Sequence, residues 1–282
     1  MTKTLAWIKK NDLLTAGLVM VLILLMISLI GPSVVDPDGV KVGYAMPDQR
    51  PGSKYLLGTD TTGRQLLPTV ITGMPLTLKV GIIAGALGVT IGVILGFVSG
   101  FYGGVWDVLF RGAADVLLTV PVLLLLVVVA STRTQAMTVN SEAILLACLT
   151  WMGPTRIIRS QVLTMRERAY VEVARASGAS GIKIIFLELM PNLIPYIAVT
   201  FVGAVAQAIL ASIGIEALGL GPQNEPTLGM TIYWSLYHGA VVRGLWWWWG
   251  PPIVVIVFLF IGLFLISAGL DKIANPRLRK SA

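Results

Sequence analysis

Long apolar runs alternate with short polar stretches along most of the chain. Crossing a hydrocarbon core about 30 Å thick takes roughly 20 residues of apolar helix, and five runs reach that length. They lie at about 13–31, 76–101, 106–130, 191–217 and 251–270. A sixth run, at about 142–163, carries Arg156 and Arg159 in its last turns, and long basic side chains of this kind can reach an interface. The pattern predicts an all-α polytopic membrane protein with six transmembrane helices.

The second apolar run carries glycines at a helical spacing. They are Gly81, Gly85, Gly88, Gly92, Gly96 and Gly100. Glycines four residues apart line one face of a helix and let another backbone approach closely. We expect this helix to pack against close neighbours, first of all helices of the same chain, instead of facing lipid on all sides.

The composition supports the membrane assignment. Of the 282 residues, 56% are hydrophobic and 12% are charged, whereas about a quarter of a soluble protein is charged. The apolar run near the N-terminus is too long for a signal peptide and no small-residue cleavage site follows it, so we expect a retained span. Cys148 is the single cysteine and excludes an intrachain disulfide. The length leaves room for one bundle, divided into an N-terminal span with its outer segment, 1–75, and a core of five spans, 76–282.

The basic residues indicate an orientation in the bilayer. The net charge is +7, but Lys and Arg are spread over loops and ends, which is not the pattern of a nucleic-acid-binding surface. With the N-terminus inside, 14 of the 21 basic residues fall on the inner side and 7 on the outer side. This bias predicts that both termini are cytoplasmic.

The same orientation leaves two long outer segments, about 32–75 and about 218–250. The second ends in Trp246–Trp249, just before Gly250. Tryptophans at the mouth of a span are typical of an interfacial belt. A platform on which sugars stack is the alternative.

The sequence lacks the residues needed for nucleotide hydrolysis by a phosphate loop and for His-based metal binding or catalysis. The chain has no G-x-x-x-x-G-K-[ST] phosphate loop, and His238 is its only histidine, so no His-based metal pair or catalytic triad can form. Asp115 is the one acid that we identify within the spans, and it lies near the end of its span. It follows Arg111 by four residues, so the two charges can neutralise each other. An ion-coupled transporter would need carboxylates or broken helices at mid-depth. The sequence therefore favours neither an ion-coupled transporter nor an intramembrane enzyme.

Residues 166–191 form the most polar stretch between two apolar runs. The segment from Arg166 to Ala176 suits a helix, and Gly178 suits the left-handed position after a helix end. Ser180 can cap a second short helix, and Pro191 can open the next span. In the first helix we expect one apolar side formed by Tyr170, Val173 and Ala174, and the apolar positions of the second are Ile184, Ile185 and Leu187.

These features predict a helix–turn–helix hairpin on the cytoplasmic surface. It has two interpretations from the residues alone. Either the hairpin lies on lipid headgroups as an amphipathic surface element, or it docks a soluble partner through helix-in-groove contacts.

The spacing within the hairpin resembles a known signature. Glu172, Ala174 and Gly178, with Pro191 thirteen residues after the glycine, are similar to the E-A-A-x-x-x-G…P pattern of ABC importer permeases. Two positions depart from that pattern. Val173 stands where alanine is usual, and Glu188 stands where an aliphatic residue is usual.

Three further stretches resemble the dipeptide/oligopeptide/nickel family of these permeases, and within it the C-type subunit. The stretches are "LLGTDTTGRQLL", "ALGLGPQNEPTLGMTI" and the terminal "NPRLRK". In the second, Ala217 and Leu228 replace the usual aromatic residues. The positions that match the family's extracytoplasmic motifs are Gly58, Thr59, Asp60, Gly63, Arg64, Gly219, Gly221, Pro222, Gly229 and Met230.

The resemblance implies the type I ABC importer fold, with this chain as half of a heterodimeric pore in a prokaryotic cell membrane. It implies a second permease subunit, two cytoplasmic ATPases that bind ATP and Mg, an extracytoplasmic solute-binding protein and the surrounding lipid bilayer as partners. This chain itself would hold no cofactor, metal or catalytic residue and would bind no nucleic acid. The hairpin would couple it to an ATPase, through Glu172, Ala174, Arg175, Gly178, Ala179, Lys183 and Pro191.

The resemblance leaves the cargo open between peptides, oligosaccharides and nickel chelates. Gln207 is a candidate for the pore lining, and packing between helices is the alternative role for it. An ion-coupled secondary transporter and a purely structural membrane subunit are the other classes of function. The structural subunit predicts that the hairpin is dispensable.

Overall fold

A computed structural model describes residues 11–132 and 136–274. The regular secondary structure in this part of the chain is helical, and turns and irregular segments connect the helices, with one isolated antiparallel bridge between Thr59 and Gln65. The helices are α1 Asp12–Val34, a 3-10 turn Pro37–Val40, α2 Leu66–Tyr102, α3 Gly104–Thr119, α4 Val122–Ser131, α5 Val139–Thr150, α6 Met152–Met165, α7 Ala169–Ala176, α8 Gly181–Ala217, α9 Leu228–Tyr237 and α10 Trp246–Ala274. The N-terminal lysines and the "NPRLRK" ending lie outside the described residues.

Four helices, α1, α2, α8 and α10, are each long and apolar enough to cross a membrane. Helices α3 and α4 pass the same test together, but they meet at an angle of 83°. The bend has a local cause, because Pro121 cannot donate a backbone hydrogen bond and holds Val120 in an extended conformation. The predicted span 106–130 is therefore not one continuous helix but two helices joined by a bend.

The predicted span 142–163 corresponds to two helices. Helices α5 and α6 have 12 and 14 residues and meet at Trp151, so neither is long enough to span alone. The second predicted span also has different bounds. Helix α2 begins at Leu66, ten residues earlier than expected, and includes Pro68 and Pro75.

Helix α2 is the central element of the bundle. Its 37 residues correspond to about 55 Å of helix at 1.5 Å per residue. A Cβ atom at Gly85 would lie 2.6 Å from Val205 of α8, and one at Gly92 would lie 2.5 Å from Pro154 of α6. Gly88, Gly96 and Gly100 face α5 and α6 in the same way. The prediction that these glycines pack against helices of the same chain is confirmed.

Helices α1 and α10 form an antiparallel pair at the edge of the bundle. A Cβ atom at Gly17 would lie 2.7 Å from the carbonyl oxygen of Gly262, and one at Gly269 would lie 2.5 Å from Leu14. The remaining faces of α1 expose large apolar side chains, among them Leu22 and Leu29 at 55% and 74%. This exposure is typical of a helix that faces lipid.

The connection between α1 and α2 is folded over the N-terminal end of α2. The Tyr44 hydroxyl donates to Asp36 at 2.6 Å and lowers the pKa of that carboxyl. Arg243, from the turn before α10, forms an ion pair with Asp48 and donates to Thr61 at 2.9 Å. The connection is thereby tied to the α9–α10 end of the bundle.

The tryptophans at the start of α10 do not form the predicted belt of four. Trp247 and Trp248 are 6% and 1% exposed, and they pack with Leu66 at the start of α2. Trp246 is 57% exposed and is the one large ring of this group that faces outward. Two of the four rings are therefore core residues, because the folded connection covers them.

Candidate coupling hairpin and transport pathway

The turn between α7 and α8 has the geometry of a Schellman motif. Gly178 has φ of +80°, and its N–H donates to the carbonyl of Arg175 at 3.0 Å. The N–H of Ala179 donates to the carbonyl of Ala174 at 3.1 Å. These are the paired hydrogen bonds that close a helix through a left-handed residue. Ser180 then accepts the N–H of Lys183 and caps the next helix, as predicted.

The hairpin is fixed to the bundle by an apolar core. Val171, Ile184 and Leu189 are at most 2% exposed, and they pack against residues of α2 and α6 such as Phe97 and Ile158. The predicted apolar side of α7 is wrong in part. Val171 faces the core, whereas Val173 is 65% exposed and Tyr170 is 38% exposed.

The second arm of the hairpin continues into the long helix α8 without a break. Residues Ile185–Leu189 form a π-helical turn, in which the N–H of Met190 donates to the carbonyl of Ile185. Pro191 follows this turn, inside α8, so it does not open a separate span. A π turn shifts the hydrogen-bond register locally, which helps to place a residue without an N–H inside a helix. The second arm of the hairpin and the helix that runs through the bundle are therefore one continuous helix, Gly181–Ala217.

The outward surface of the hairpin combines charged and apolar side chains. Glu172, Arg175 and Lys183 are exposed. Within the described residues, the Glu172 side chain forms no hydrogen bond or ion pair. The exposed large apolar residues are Tyr170, Val173, Ile182, Phe186 and Leu187. A partner protein could bury these apolar groups and pair with the charges.

A charged cavity of about 840 Å³ lies between α3, α6 and α8. Gln207 of α8 is in its wall. Arg111 and Arg156 contact opposite oxygens of Asp115 at 3.3 and 3.4 Å, so the predicted Arg111–Asp115 pair is present and is shared with a second arginine. Charged and polar side chains therefore line a space large enough to hold water.

One ion pair beside this cavity joins three helices. Arg159 of α6 binds both oxygens of Asp107 of α3, with Nη2 at 2.7 Å from Oδ2. The Ser99 hydroxyl of α2 donates to the same carboxylate at 2.5 Å. The two charged side chains are only about one-fifth exposed, at 19% and 20%. Arg159 is therefore held in the bundle and does not extend to an interface as expected from the sequence.

Two further acidic side chains are enclosed where α5 meets the end of α8. Glu142 and Glu216 are both 0% exposed, and the Ser212 hydroxyl lies between them, 2.7 and 3.3 Å from their Oε1 atoms. The prediction that Asp115 is the one acid within the spans was wrong, since Asp107, Glu142 and Glu216 also lie there. The sequence shows that these acids lie within apolar runs. It does not show their contacts, because the contacting residues belong to helices far apart in the sequence.

Two motif glycines leave room for Glu216. A Cβ atom at Gly229 would collide with its Oε2 atom, and one at Gly221 would lie 2.5 Å from its Cγ atom. Gly219 has φ of +77° and turns the chain after α8. Met230, whose N–H donates to Thr227, is fully buried at the start of α9. The family motif at 217–232 thus encloses this carboxyl group.

The other motif, at 58–64, forms a compact turn. Oδ1 of Asp60 accepts the Thr62 N–H and hydroxyl at 2.8 Å and the Arg64 N–H at 2.9 Å. Gly58 and Gly63 have φ of +72° and +78°, which favours glycine. Thr59 is buried, and its hydroxyl donates to the carbonyl of Met46 at 2.7 Å. These residues stabilise the folded connection between α1 and α2. Pro222 belongs to the other motif, at 217–232, and is also buried.

The described residues contain no group of three or more His, Cys, Asp or Glu side chains that could hold a metal ion. Most site residues predicted from the sequence lie in two places, one at each end of α2. The hairpin residues lie at the C-terminal end of α2, where Arg166 donates to the carbonyl of Gly100 at 2.9 Å. The motif residues lie at its N-terminal end. Gln207 lies between the two groups, in the wall of the cavity.

The chain is similar to permease proteins of peptide transport systems. Over 277 residues the chain is 29% identical to the dipeptide transport system permease protein DppC of Bacillus subtilis, covering 98% of this chain and 86% of that protein. It is 29% identical to a putative peptide transport system permease protein of Brucella suis over 266 residues, which are 93% of this chain and 87% of that protein.

A third relative is matched over a shorter region. The chain is 29% identical to the oligopeptide transport system permease protein OppC of Mycobacterium bovis over 185 residues, 65% of this chain and 64% of that protein. It therefore spans less than two thirds of the length of that relative. The family model described as the binding-protein-dependent transport system inner membrane component matches residues 88–280. The chain belongs to this family of transport-system inner membrane components.

Proposed function

We propose that this chain is a transmembrane permease subunit of an ATP-driven ABC importer and forms half of its translocation pore. The observation that supports the proposal is the hairpin. A Schellman turn joins its two arms, and its second arm is the beginning of the long helix α8. A force applied to the exposed hairpin moves α8, and α8 forms part of the wall of the charged cavity. Rigid-body movement of helices is one of the ways in which such proteins switch between states.

The hairpin surface supports docking to a cytoplasmic ATPase. A groove in a partner can bury Val173, Ile182 and Phe186, which are 65%, 64% and 57% exposed here. Glu172 and Lys183 add charges of both signs beside these apolar groups. The hairpin residues would bind the partner without any catalytic role, and ATP and Mg would be held by the ATPase subunits.

The remaining partners follow from the two ends of the bundle. A second permease subunit would complete the pore on the open side of the cavity. The folded connection and the α9–α10 turn would face an extracytoplasmic solute-binding protein, with the hairpin and both termini in the cytoplasm. All six passes would cross the prokaryotic cell membrane, including the two that are built from broken helices.

The cargo proposed is a peptide, because the relatives are named for dipeptide, oligopeptide and peptide transport. The wall of the cavity contains Arg111, Arg156 and Arg159 beside Asp115, so charged ends of a peptide would find partners of both signs. An oligosaccharide or a nickel chelate is the alternative cargo for the same architecture.

Buried carboxyls inside the bundle raise the possibility of an ion-coupled transporter. Glu142 and Glu216 are fully enclosed and do not line the charged cavity. A carboxyl that couples ion movement to transport must be reached from a pathway. The importer is therefore the function better supported.

The coupling role is tested by Glu172→Lys and Gly178→Pro in the assembled importer, reconstituted in vesicles. Proline at 178 cannot adopt the observed φ and cannot donate to Arg175, so it should disrupt the turn. We expect both variants to insert in the membrane, to retain less ATPase on co-purification, and to lose ATP-driven uptake of a labelled dipeptide and a labelled tetrapeptide.

Asp271→Lys is the matched control, because Asp271 is exposed near the end of α10 and lies outside the hairpin. It should leave ATPase binding and uptake unchanged. Normal ATPase binding by both Glu172→Lys and Gly178→Pro would exclude the coupling role, whatever the cargo. ATPase binding without uptake of either peptide by the unaltered protein would instead overturn only the choice of peptide.

A further inference from the structure

Glu142 and Glu216 form a buried pair of carboxyl groups that the transport function does not use. They come from α5 and α8, and both are 0% exposed. The Ser212 hydroxyl lies 2.7 Å from Oε1 of Glu142 and 3.3 Å from Oε1 of Glu216. A hydroxyl has one hydrogen and can donate to only one of these oxygens. If both contacts are hydrogen bonds, one of the carboxyl groups must supply a proton.

The remaining oxygens point to the same conclusion. Oε2 of Glu142 and Oε2 of Glu216 are buried, and neither has a hydrogen-bond partner among the described atoms. An ionised carboxylate without partners in such a place is very costly, and two carboxylates sharing a site cannot both remain charged.

No basic side chain neutralises the pair in the described bundle. Helices α4, α5 and α9 and the connection 218–227 contain no Lys, Arg or His. The basic residue of α2 is Lys79, which is exposed, and that of α8 is Lys183, at the opposite end of the helix. The other charged group here is also acidic, since Glu225 accepts the N–H of Val139 at 3.1 Å.

We propose that Glu142 and Glu216 form a proton-binding site, in which at least one carboxyl keeps its proton at neutral pH. Ser212 then donates to one carboxyl and accepts from the protonated one, and the proton removes the charge repulsion between Glu142 on α5 and Glu216 in the last turn of α8. The motif glycines Gly221 and Gly229 close the site by letting the chain after α8 pack directly on Glu216. The site is thus a protonated link between two passes of the bundle.

Infrared spectroscopy of the purified importer tests the proposal, because a protonated carboxyl has a carbonyl band separate from those of carboxylates. Labelling glutamate with ¹³C identifies bands that come from glutamate. We expect a labelled protonated band in the unaltered protein at neutral pH and its loss in Glu142→Gln/Glu216→Gln. Glutamine resembles the protonated acid in size and charge, so the double variant should fold.

Glu225→Gln is the matched control, because it removes a nearby carboxyl outside the pair and should keep the band. If the double variant does not fold, a loss or shift of the band in either single glutamine variant supports the site. Absence of the band from the unaltered protein, or an unchanged band in all glutamine variants, would overturn it. A missing band together with a rise in thermal stability on adding Na⁺ or Ca²⁺ would assign the pair to a metal cation instead.

Discussion

At the scale of single residues, the motif at 58–64 is a set of interactions around one carboxylate. Asp60 is 4% exposed, and one of its oxygens accepts three hydrogen bonds from Thr62 and Arg64. The backbone reinforces this turn, because the N–H of Asp60 donates to the carbonyl of Arg64 at 3.0 Å. The side chain of Asp60 therefore determines the shape of the connection before α2.

Replacing this residue should loosen the connection. Asp60→Ala removes the acceptor of three hydrogen bonds and leaves partly buried donors of Thr62 and Arg64 without it, at a cost of about 1–3 kcal/mol. We expect faster proteolysis within residues 35–65 of the purified protein. Asp60→Asn keeps an acceptor oxygen of the same shape and should be cut more slowly than the alanine variant. Equal digestion of Asp60→Ala and the unaltered protein would contradict this role.

Local features of single residues could be predicted from the sequence, whereas distant partners could not. Gly178 and Ser180 were predicted correctly, because a helix end and a helix cap depend on a few adjacent residues. The Glu142–Glu216 pair was missed. Its connecting hydrogen bond joins residues 70 positions apart, and only the packing of α5 on α8 brings them together.

At the scale of the helices, the glycines of α2 decide which neighbours can approach. Gly85 faces the backbone of Val205 in α8, so that an added Cβ atom would lie 3.0 Å from its nitrogen and 2.6 Å from its side chain. Backbone atoms of a packed helix cannot move aside as the end of a flexible side chain can. The separation of α2 and α8 therefore depends on this glycine.

An alanine at this contact should destabilise the bundle. Overpacking of a tight interior contact typically costs about 1–3 kcal/mol, so Gly85→Ala should lower the melting temperature of the protein in detergent. Gly203→Ala is the matched control on α8, because no atom lies within 4 Å of a Cβ atom placed there. It should melt at least as high as the unaltered protein, since alanine favours a helix more than glycine does. Equal melting temperatures of the two variants would show that α2 and α8 adjust freely.

Predicting helices from apolar runs worked where the helix is uninterrupted and failed where backbone geometry intervenes. Helix α1 at Asp12–Val34 differs by only a few residues from the predicted 13–31. The bend between α3 and α4 was missed, although Pro121 stands at it, because hydropathy alone does not distinguish a straight span from a broken one. The early start of α2 was missed because Pro68 and Pro75 resemble loop residues. Pro68 lies in the first turn of the helix, which tolerates proline well, whereas Pro75 lies inside the helix.

At the scale of the whole molecule, four helices of the described part are long and apolar enough to cross a membrane, or five segments if the bent pair α3–α4 counts as one span. Helices α1, α3–α4 and α8 run opposite to α2, while α5–α6 and α10 run parallel to it, as their contacts with successive residues of α2 and α10 show. The start of α1 and the end of α10 consequently lie near the hairpin end. The folded connection lies at the other end.

Helix α2, with its 37 residues, measures about 55 Å, and a hydrocarbon core is about 30 Å thick. If α2 crosses the membrane, its two ends must therefore emerge on opposite sides. The basic residues favour a cytoplasmic location for the hairpin end. This orientation predicts which loops a reagent outside the cell can reach.

Accessible cysteines would test the orientation directly. Cys148 is exposed and is replaced first by serine; Ser53→Cys and Ser177→Cys are then introduced separately, because both serines are exposed and sit at opposite ends of α2. In intact cells, a membrane-impermeant thiol reagent should label position 53 and not position 177. After permeabilisation of cells that express this chain without a partner ATPase, the reagent should label both, which shows that position 177 is accessible within the fold. Labelling of position 177 alone in intact cells would reverse the orientation, and labelling of both would show that α2 does not separate the two ends across the membrane.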